Sequence, residues 1–292
     1  MLADSGYAMF HQQEKPVSKH GDASRRGRAY AIALALLLGF FGGAAAEEFK
    51  IGGTGAALGT MRLLADEFTA TNPGIRVTTV PSLGSGGSIK AVVAGAIGLA
   101  VTSRPMNESE RKLGAVELEY ARTPFVVAVS TKSRVTAITS GELAGIYAGR
   151  IAAWADGSPV RIVLRPVSDI DTEMVKNISP AIRRGMVAAE ARPGVQFSVN
   201  DQDAANDLER IPGSIGPSSL ALIVSEKRAL RALTLDGMEP TPMNAASGAY
   251  LYYKRLFFVS GTKRSAAVER FVAFVQFPAG RKILASNGQW IP

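Results

Sequence analysis

Twice in quick succession, a short β-like run ends in a glycine- and hydroxyl-rich loop that leads into a helix-like stretch. Phe49-Lys50-Ile51 is followed by Gly52-Gly53-Thr54-Gly55, after which Met61, Leu64, Ala65 and Phe68 recur at helical spacing. Asn72-Pro73-Gly74 stops that helix, and the β-branched run Ile75 to Val80 reads as the next strand. Gly84-Ser85-Gly86-Gly87-Ser88 then precedes a helix expected from about Ser88 to Ala96, and Leu99-Ala100-Val101 leads to Thr102-Ser103-Arg104-Pro105. Strand–helix–strand–helix–strand is an α/β unit with a parallel sheet, whose ligands bind outside the carboxyl ends of the strands. The two loops lie at those ends. Each offers backbone N–H groups and hydroxyls at a helix N-terminus, a setting that suits an oxyanion, although a tight turn and helix entry would use the same residues.

A second α/β pattern follows the apolar run Phe125 to Val129. Thr139-Ser140-Gly141-Glu142 is a capping box opening a helix with Leu143, Ile146 and Tyr147 on its buried face. Val160 to Arg165 reads as a strand ending in arginine, Asp169 to about Met186 as a loop and helix, and Ala204 to Ile211 as a helix closed by Pro212-Gly213. Ser214-Ile215-Gly216 begins a short strand. Leu251 to Val259 is an expected return strand, and helices are expected over Ala266 to Phe277 and Gly280 to Ala285.

The first 46 residues are set apart from this pattern. Arg25, Arg26 and Arg28 precede an uncharged stretch, Ala29 to Ala46, that ends in small residues before Glu47. This is the layout of a cleaved secretory signal, with an uncleaved membrane anchor as the alternative. Of the net charge of +8, the leader's five basic and three acidic residues supply two, leaving +6 on residues 47–292. Such a field favours anionic partners. No basic run is dense enough for nucleic acid. Both histidines, His11 and His20, lie in the leader and the chain has no cysteine. Ser-His-Asp and Cys-His catalysis and His or Cys metal sites are therefore excluded downstream, and neither a metal nor a cofactor is expected.

The segments, taken in order, resemble the phosphate-binding periplasmic proteins of ABC transporters, within the type II periplasmic binding protein fold. The similarity runs from about Ile51 to Pro292. It is carried by Gly53-Thr54, Gly84-Ser85-Gly86-Gly87-Ser88-Ile89-Lys90, Thr102-Ser103-Arg104-Pro105-Met106, and Ile146-Tyr147-Ala148-Gly149-Arg150-Ile151 with Trp154. Val163-Leu164-Arg165-Pro166, Pro212-Gly213-Ser214-Ile215-Gly216, Leu235 to Thr241, and the ending from Arg270 to Val275 through Gly288-Gln289-Trp290-Ile291-Pro292 complete it.

The resemblance implies an α/β fold of two lobes with mixed sheets, joined by two crossover strands. Residues 1–46 would be a signal peptide, 47–123 with 250–292 lobe I, and 124–249 lobe II. It implies a monomeric, non-enzymatic periplasmic protein that captures inorganic phosphate or a related oxyanion for a membrane permease. Thr54 and Gly55 would serve from the first loop, Ser85, Gly86 and Gly87 from the second, and Ser103 from the third strand. Arg165 would reach in from the second lobe as a charge-assisted donor.

Two departures from the family pattern stand out. Where many relatives carry Gly-Ser-Gly-Thr after the arginine, this chain has Val167-Ser168-Asp169-Ile170-Asp171-Thr172. Ser168 keeps one hydroxyl. Asp169 and Asp171 are expected as helix caps, with Asp169 alternatively accepting the proton of a protonated phosphate while repelling sulfate. Ser103 or Arg104 also stands where some relatives have an aspartate. The changed segment keeps a second function open, a binding-protein scaffold used in envelope sensing or partner binding with weak phosphate affinity. Trp154 and Trp290 are expected as packing residues.

Overall fold

The computed structural model describes residues 13–15 and 47–292; the leader expected over 1–46 lies outside the described residues apart from that short stretch. Residues 46–292 make one compact unit. In chain order its strands are β1 (Glu47–Gly53), β2 (Ile75–Thr79), β3 (Leu99–Thr102), β4 (Ala115–Ser130), β5 (Ala137–Ile138), β6 (Arg161–Leu164), β7 (Gln196–Phe197), β8 (Ser214–Ser219), β9 (Leu230–Ala232), β10 (Thr234–Leu235) and β11 (Tyr253–Gly261). The helices are α1 (Gly55–Thr71), α2 (Gly84–Val93), α3 (Glu108–Arg111), α4 (Ser140–Tyr147), α5 (Ile170–Ile178), α6 (Pro180–Glu190), α7 (Asp201–Arg210), α8 (Leu220–Ser225), α9 (Pro242–Ala246), α10 (Ala266–Gln276) and α11 (Pro278–Ser286).

Strands run in the order β2-β1-β3-β11-β4-β8-β6-β7, with β9 also on β4 and a separate β5-β10 pair. Pairing is parallel within β2-β1-β3 and within β8-β6-β7, and antiparallel where β11 and β4 join these groups. Strand β4 explains the join. Its first part pairs with β11 from Ala115 to Pro124, and its last part, Phe125 to Ser130, pairs with β8 and β9. Phe125, Val126, Val127, Ala128 and Val129 are all buried, as expected of a strand covered on both faces.

Each half of the sheet is packed on both sides. In the first half, Leu58, Met61, Leu64 and Phe68 of α1 meet Ile51, Leu99 and Phe271 on one face, while Ile89 and Val92 of α2 meet Ala100 and Val259 on the other. In the second half, Ile146, Tyr147, Val175, Ile182 and Met186 cover one face of β6 and β8, and Ala204, Leu208 and Leu222 the other. Tyr120 stacks on Phe258 at 4.0 Å between β4 and β11, tying the two long strands together.

Local structure departs from the sequence expectation in a few places. Helix α2 begins at Gly84 rather than Ser88, so the second glycine loop is itself the first helical turn. Gly84 has a φ of +65°, a left-handed turn that glycine adopts without strain, and this sets the helix start earlier. The stretch expected as one helix to Met186 is two. Ser179 is extended, ends α5 and caps α6 by accepting from Ile182 N, and Pro180 takes the first helical position, where its missing N–H costs nothing. Helix α7 starts at Asp201 rather than Ala204 because Asn200 caps it, accepting from Asp203 N. The capping box of α4 forms as expected, Thr139 accepting from Glu142 N while Glu142 accepts from Thr139 N. Trp154 and Trp290 pack against the second-half core, Trp154 Nε1 donating to the Gly213 carbonyl at 3.0 Å. Among the described residues no helix is long and apolar enough to cross a membrane.

Candidate functional site

The carboxyl ends of β1, β3, β6 and β7 face a cleft of about 400 Å³. Of the site residues expected from sequence, Thr54, Ser85, Gly86, Ser103, Arg165, Ser168 and Asp169 line it; Gly55 and Gly87 do not. Ser82, Leu83, Gly84, Arg104, Asn200 and Asp201 also contribute to its wall. A wider depression of about 830 Å³, next to Trp154, Arg134 and Arg210, shares no residue with this cleft.

The first-half wall is built from neutral donors at two helix starts. Thr54 is the N-cap residue of α1, yet its side chain makes no capping bond; Oγ1 instead donates to Asp201 Oδ2 at 3.3 Å across the cleft floor. Gly55 is fixed by the same approach, since a Cβ there would fall 2.2 Å from Gln202 Oε1 and 2.7 Å from Asp201 Cβ. Gln202 Nε2 in turn donates to the Gly55 carbonyl at 3.1 Å. At the second loop, Ser85 Oγ accepts from Ser103 N at 3.1 Å and sits 3.4 Å from Ser103 Oγ. The first-turn N–H groups of α2 have no partner within the helix, because the first four donors of any α-helix lack one. Arg104 forms a two-pronged pair with Glu110, both contacts at 2.7 Å, and this pairing is the main cause holding the Glu110 carboxyl below its usual range.

The second-half wall is charged. Arg165 follows β6 and is 3% exposed. Its NH1 donates to the Ser198 carbonyl at 2.7 Å and its NH2 to Asp169 Oδ2 at 2.6 Å, while Nε is buried with no hydrogen-bond partner among the described residues. Asp169 caps α5, its Oδ1 accepting from Asp171 N at 2.9 Å. Of its two expected roles, then, the cap is present, and the same carboxylate also holds the arginine. Asp171 is not a cap. Its carboxylate turns inward to form an ion pair with Lys254 of β11. Ser168 is exposed on the cleft wall.

Sequence reasoning missed Asp201 and Lys254. Lys254 is 1% exposed, ion-paired with Asp171 and 3.5 Å from Asp201 Oδ1. Burial alone would strip its proton, but Asp171 and Asp201 outweigh that and raise its pKa. Burial also opposes ionisation of Asp201, yet Lys254, Arg165 and the Thr54 hydroxyl hold it below the usual carboxylate range. Asp171 goes the other way. Burial, only partly offset by Lys254 and reinforced by Asp201 and Asp169, pushes its pKa up to about 6. The signal for Lys254 was a charge set with Arg255 inside the otherwise apolar run Leu251 to Val259, on the opposite face of the strand from its neighbour. Asp201 carried no such mark, because an acid at a helix start is ordinarily explained by the helix dipole.

A mixed sheet in two parallel groups, bridged by two long antiparallel strands around a polar cleft, is the architecture of a type II periplasmic binding protein. A family model described as the PBP superfamily domain matches residues 41–277, and the chain belongs to that superfamily. Among its relatives is the phosphate-binding protein PstS of Bacillus subtilis, 23% identical over 257 residues that cover 85% of this chain and 81% of that protein. Among solved structures, a phosphate ABC transporter substrate-binding protein of Clostridium perfringens, determined with phosphate bound, matches with a TM-score of 0.71 at 20% identity. The match covers 84% of this chain and 100% of that one. The periplasmic molybdate-binding protein of Azotobacter vinelandii matches with a TM-score of 0.60 at 17% identity, over 84% of this chain and 99% of the other.

Proposed function

We propose that this chain is a periplasmic solute-binding protein that captures phosphate, or a similar tetrahedral oxyanion, and delivers it to an ABC permease. Residues 47–123 with 250–292 would act as one lobe and 124–249 as the other, with β4 and β11 as the crossing strands. The leader would carry the chain across the membrane and be removed. The role is capture rather than turnover, as for the relatives named above.

One observation carries this reading. Hydroxyls and helix-start N–H groups from one half of the sheet face the same cleft as the buried Arg165 from the other half, and Arg165 Nε has no hydrogen-bond partner among the described residues. An unsatisfied buried donor is costly, and an oxyanion in the cleft would relieve it. Thr54, Ser85 and Ser103 would supply neutral hydrogen bonds, and Arg165 the charge. Asp201 on the cleft wall favours an anion that still carries a proton, as phosphate does near neutral pH and sulfate does not. The names of the relatives point to the same ligand class.

Isothermal calorimetry of residues 47–292 with phosphate, arsenate, sulfate and molybdate tests this. Phosphate is expected to bind most tightly of the four. The absence of heat with all four would reject the transport role. It would favour the scaffold reading instead, which has its own structural support in the ion pair that Asp169 makes with Arg165.

A further inference from the structure

Beneath the cleft lies an ion cluster centred on Asp171 and Lys254, two groups that the contacts just described do not use. Asp171 faces Lys254 of β11, Asp201 at the start of α7, and Asp169 and Arg165 from the loop leading into its own helix. Asp171 and Lys254 are each 1% exposed and Asp201 is 9% exposed. The nearest further cation on the cleft wall, Arg104, is already matched by Glu110. With every group ionised, Arg165 and Lys254 stand against Asp169, Asp171 and Asp201. The floor of a cleft suited to anions would therefore hold one negative charge in excess. Arg165, Asp171 and Lys254 are almost fully buried, so charges several ångströms apart there still interact strongly. An arriving anion would deepen the imbalance, and a proton is the simplest species that corrects it.

We propose that oxyanion capture is linked to the uptake of one proton by the Asp171–Lys254–Asp201 cluster, with Asp171 as its seat, so that the cleft binds more tightly as pH falls. This rests on the oxyanion reading of the cleft. Asp171 is the seat because the other two carboxylates are better held. All three have a cation, but Asp201 also receives the Thr54 hydroxyl and Asp169 also receives a helix N–H, a neutral donor that Asp171 is not given. Asp171 is the most deeply buried of the three acids, and burial already brings its titration close to neutrality. The anion would never touch it, since Asp171 is not on the cleft wall.

The direction follows from reciprocity. If a bound anion raises the pKa of Asp171, protonation of Asp171 must strengthen anion binding by the same factor. That gain is fully present below the anion-free pKa, about 6. It is lost as pH rises through the higher pKa of the anion-bound form.

Phosphate affinity of the wild type and of Asp171→Asn, measured by calorimetry at about pH 5.5 and about pH 8, tests the link. One pK unit of coupling corresponds to about tenfold in affinity. Asp171→Asn should therefore bind about tenfold more tightly than wild type at the higher pH and equally at the lower. Phosphate's own titration is common to both proteins and cancels in the ratio. A second measurement needs no variant. In carbon-13 spectra of the wild-type carboxyl groups, the aspartate that titrates near neutrality should move its midpoint upward by about one unit when phosphate saturates the protein. Identical pH profiles for the two proteins, or a midpoint that phosphate does not move, would overturn the linkage and leave the oxyanion site standing. If neither protein binds phosphate at either pH, the oxyanion reading falls and the linkage with it.

Discussion

The two walls of the cleft solve the same problem with opposite chemistry. On the first-half wall, Thr54, Ser85 and Ser103 offer uncharged hydroxyls at the starts of α1 and α2 and at the end of β3, and Arg104, which lines the same wall, is paired with Glu110. On the second-half wall, Arg165, Asp169 and Asp201 bring full charges, with Lys254 and Asp171 behind them. A neutral wall needs only local geometry, because helix starts leave donors free by construction. A charged wall must offset its own charges in the absence of an anion, and here two internal ion pairs do so for all but one of its carboxylates. Removing a buried charge behind the second-half wall should therefore disturb stability as well as affinity, whereas substitutions on the first-half wall should change affinity alone.

Lys254→Met breaks this comparison hardest. It removes the cation that Asp171 and Asp201 share, leaving buried carboxylates without a counter-charge, which costs about 3–5 kcal/mol. Chemical denaturation should show that loss near neutral pH, where both acids would otherwise ionise. A loss no greater than that of an ordinary surface substitution would mean that the cluster does not balance the wall. Ser85→Asp comes next and acts on the neutral wall. It places a fixed negative charge beside Ser103 at the start of α2, and like-charge contact with an oxyanion costs several kcal/mol. Phosphate binding should vanish in calorimetry while the denaturation midpoint stays close to wild type. Normal affinity would place the anion elsewhere.

The neutral wall was largely legible in the sequence because it is local. Thr54, Ser85 and Ser103 lie within a few residues of strand ends and glycine loops, and each loop pattern predicts that a helix follows it. The cap of α4 was visible for the same reason, with Thr139 and Glu142 three residues apart. The charged wall was only half legible. Arg165 ends a strand and so could be placed, but its partner Ser198 and the cluster behind it come from β7, α7 and β11, far apart in sequence. No short-range pattern says that Lys254 meets Asp171. What decides it is the packing of β11 against the second half of the fold. Gly84 shows the limit at the smallest scale: a single left-handed residue starts α2 four positions earlier than its apolar spacing suggested.

Arg165→Lys sharpens the comparison by keeping the charge and discarding the fork. The guanidinium makes two bonds to protein at once and still has a third donor, Nε, without a partner among the described residues. An ammonium at the end of a flexible stem cannot hold Ser198 and Asp169 and also reach the cleft with the same geometry. Hydrogen bonds to charged groups contribute about 1.5–3 kcal/mol, so affinity should fall by at least about tenfold. Calorimetry at fixed pH gives the number. A change of less than about twofold would show that charge alone is used and that the unpaired Nε is irrelevant to binding.

Asp169→Asn should have the smallest effect and is the most discriminating. Asparagine caps a helix nearly as well as aspartate, so α5 keeps its bond from Asp171 N and stability should hardly change. What disappears is the negative charge beside Arg165 on the cleft wall. If Asp169 acts mainly as the counter-ion of Arg165, freeing the guanidinium strengthens phosphate and sulfate binding alike, by a few-fold, and their ratio stays where it was. If Asp169 instead accepts a proton from bound phosphate, the ratio shifts toward sulfate, because the asparagine no longer repels the fully deprotonated anion. The geometry favours the first outcome. Both carboxylate oxygens already accept hydrogen bonds from the protein, Oδ1 from the helix and Oδ2 from the arginine, whereas Asp201 meets the cleft with only the long Thr54 contact on Oδ2. Paired calorimetric titrations with phosphate and sulfate decide between them, and an unchanged ratio would move the proton-sensing role from the loop after β6 to the start of α7.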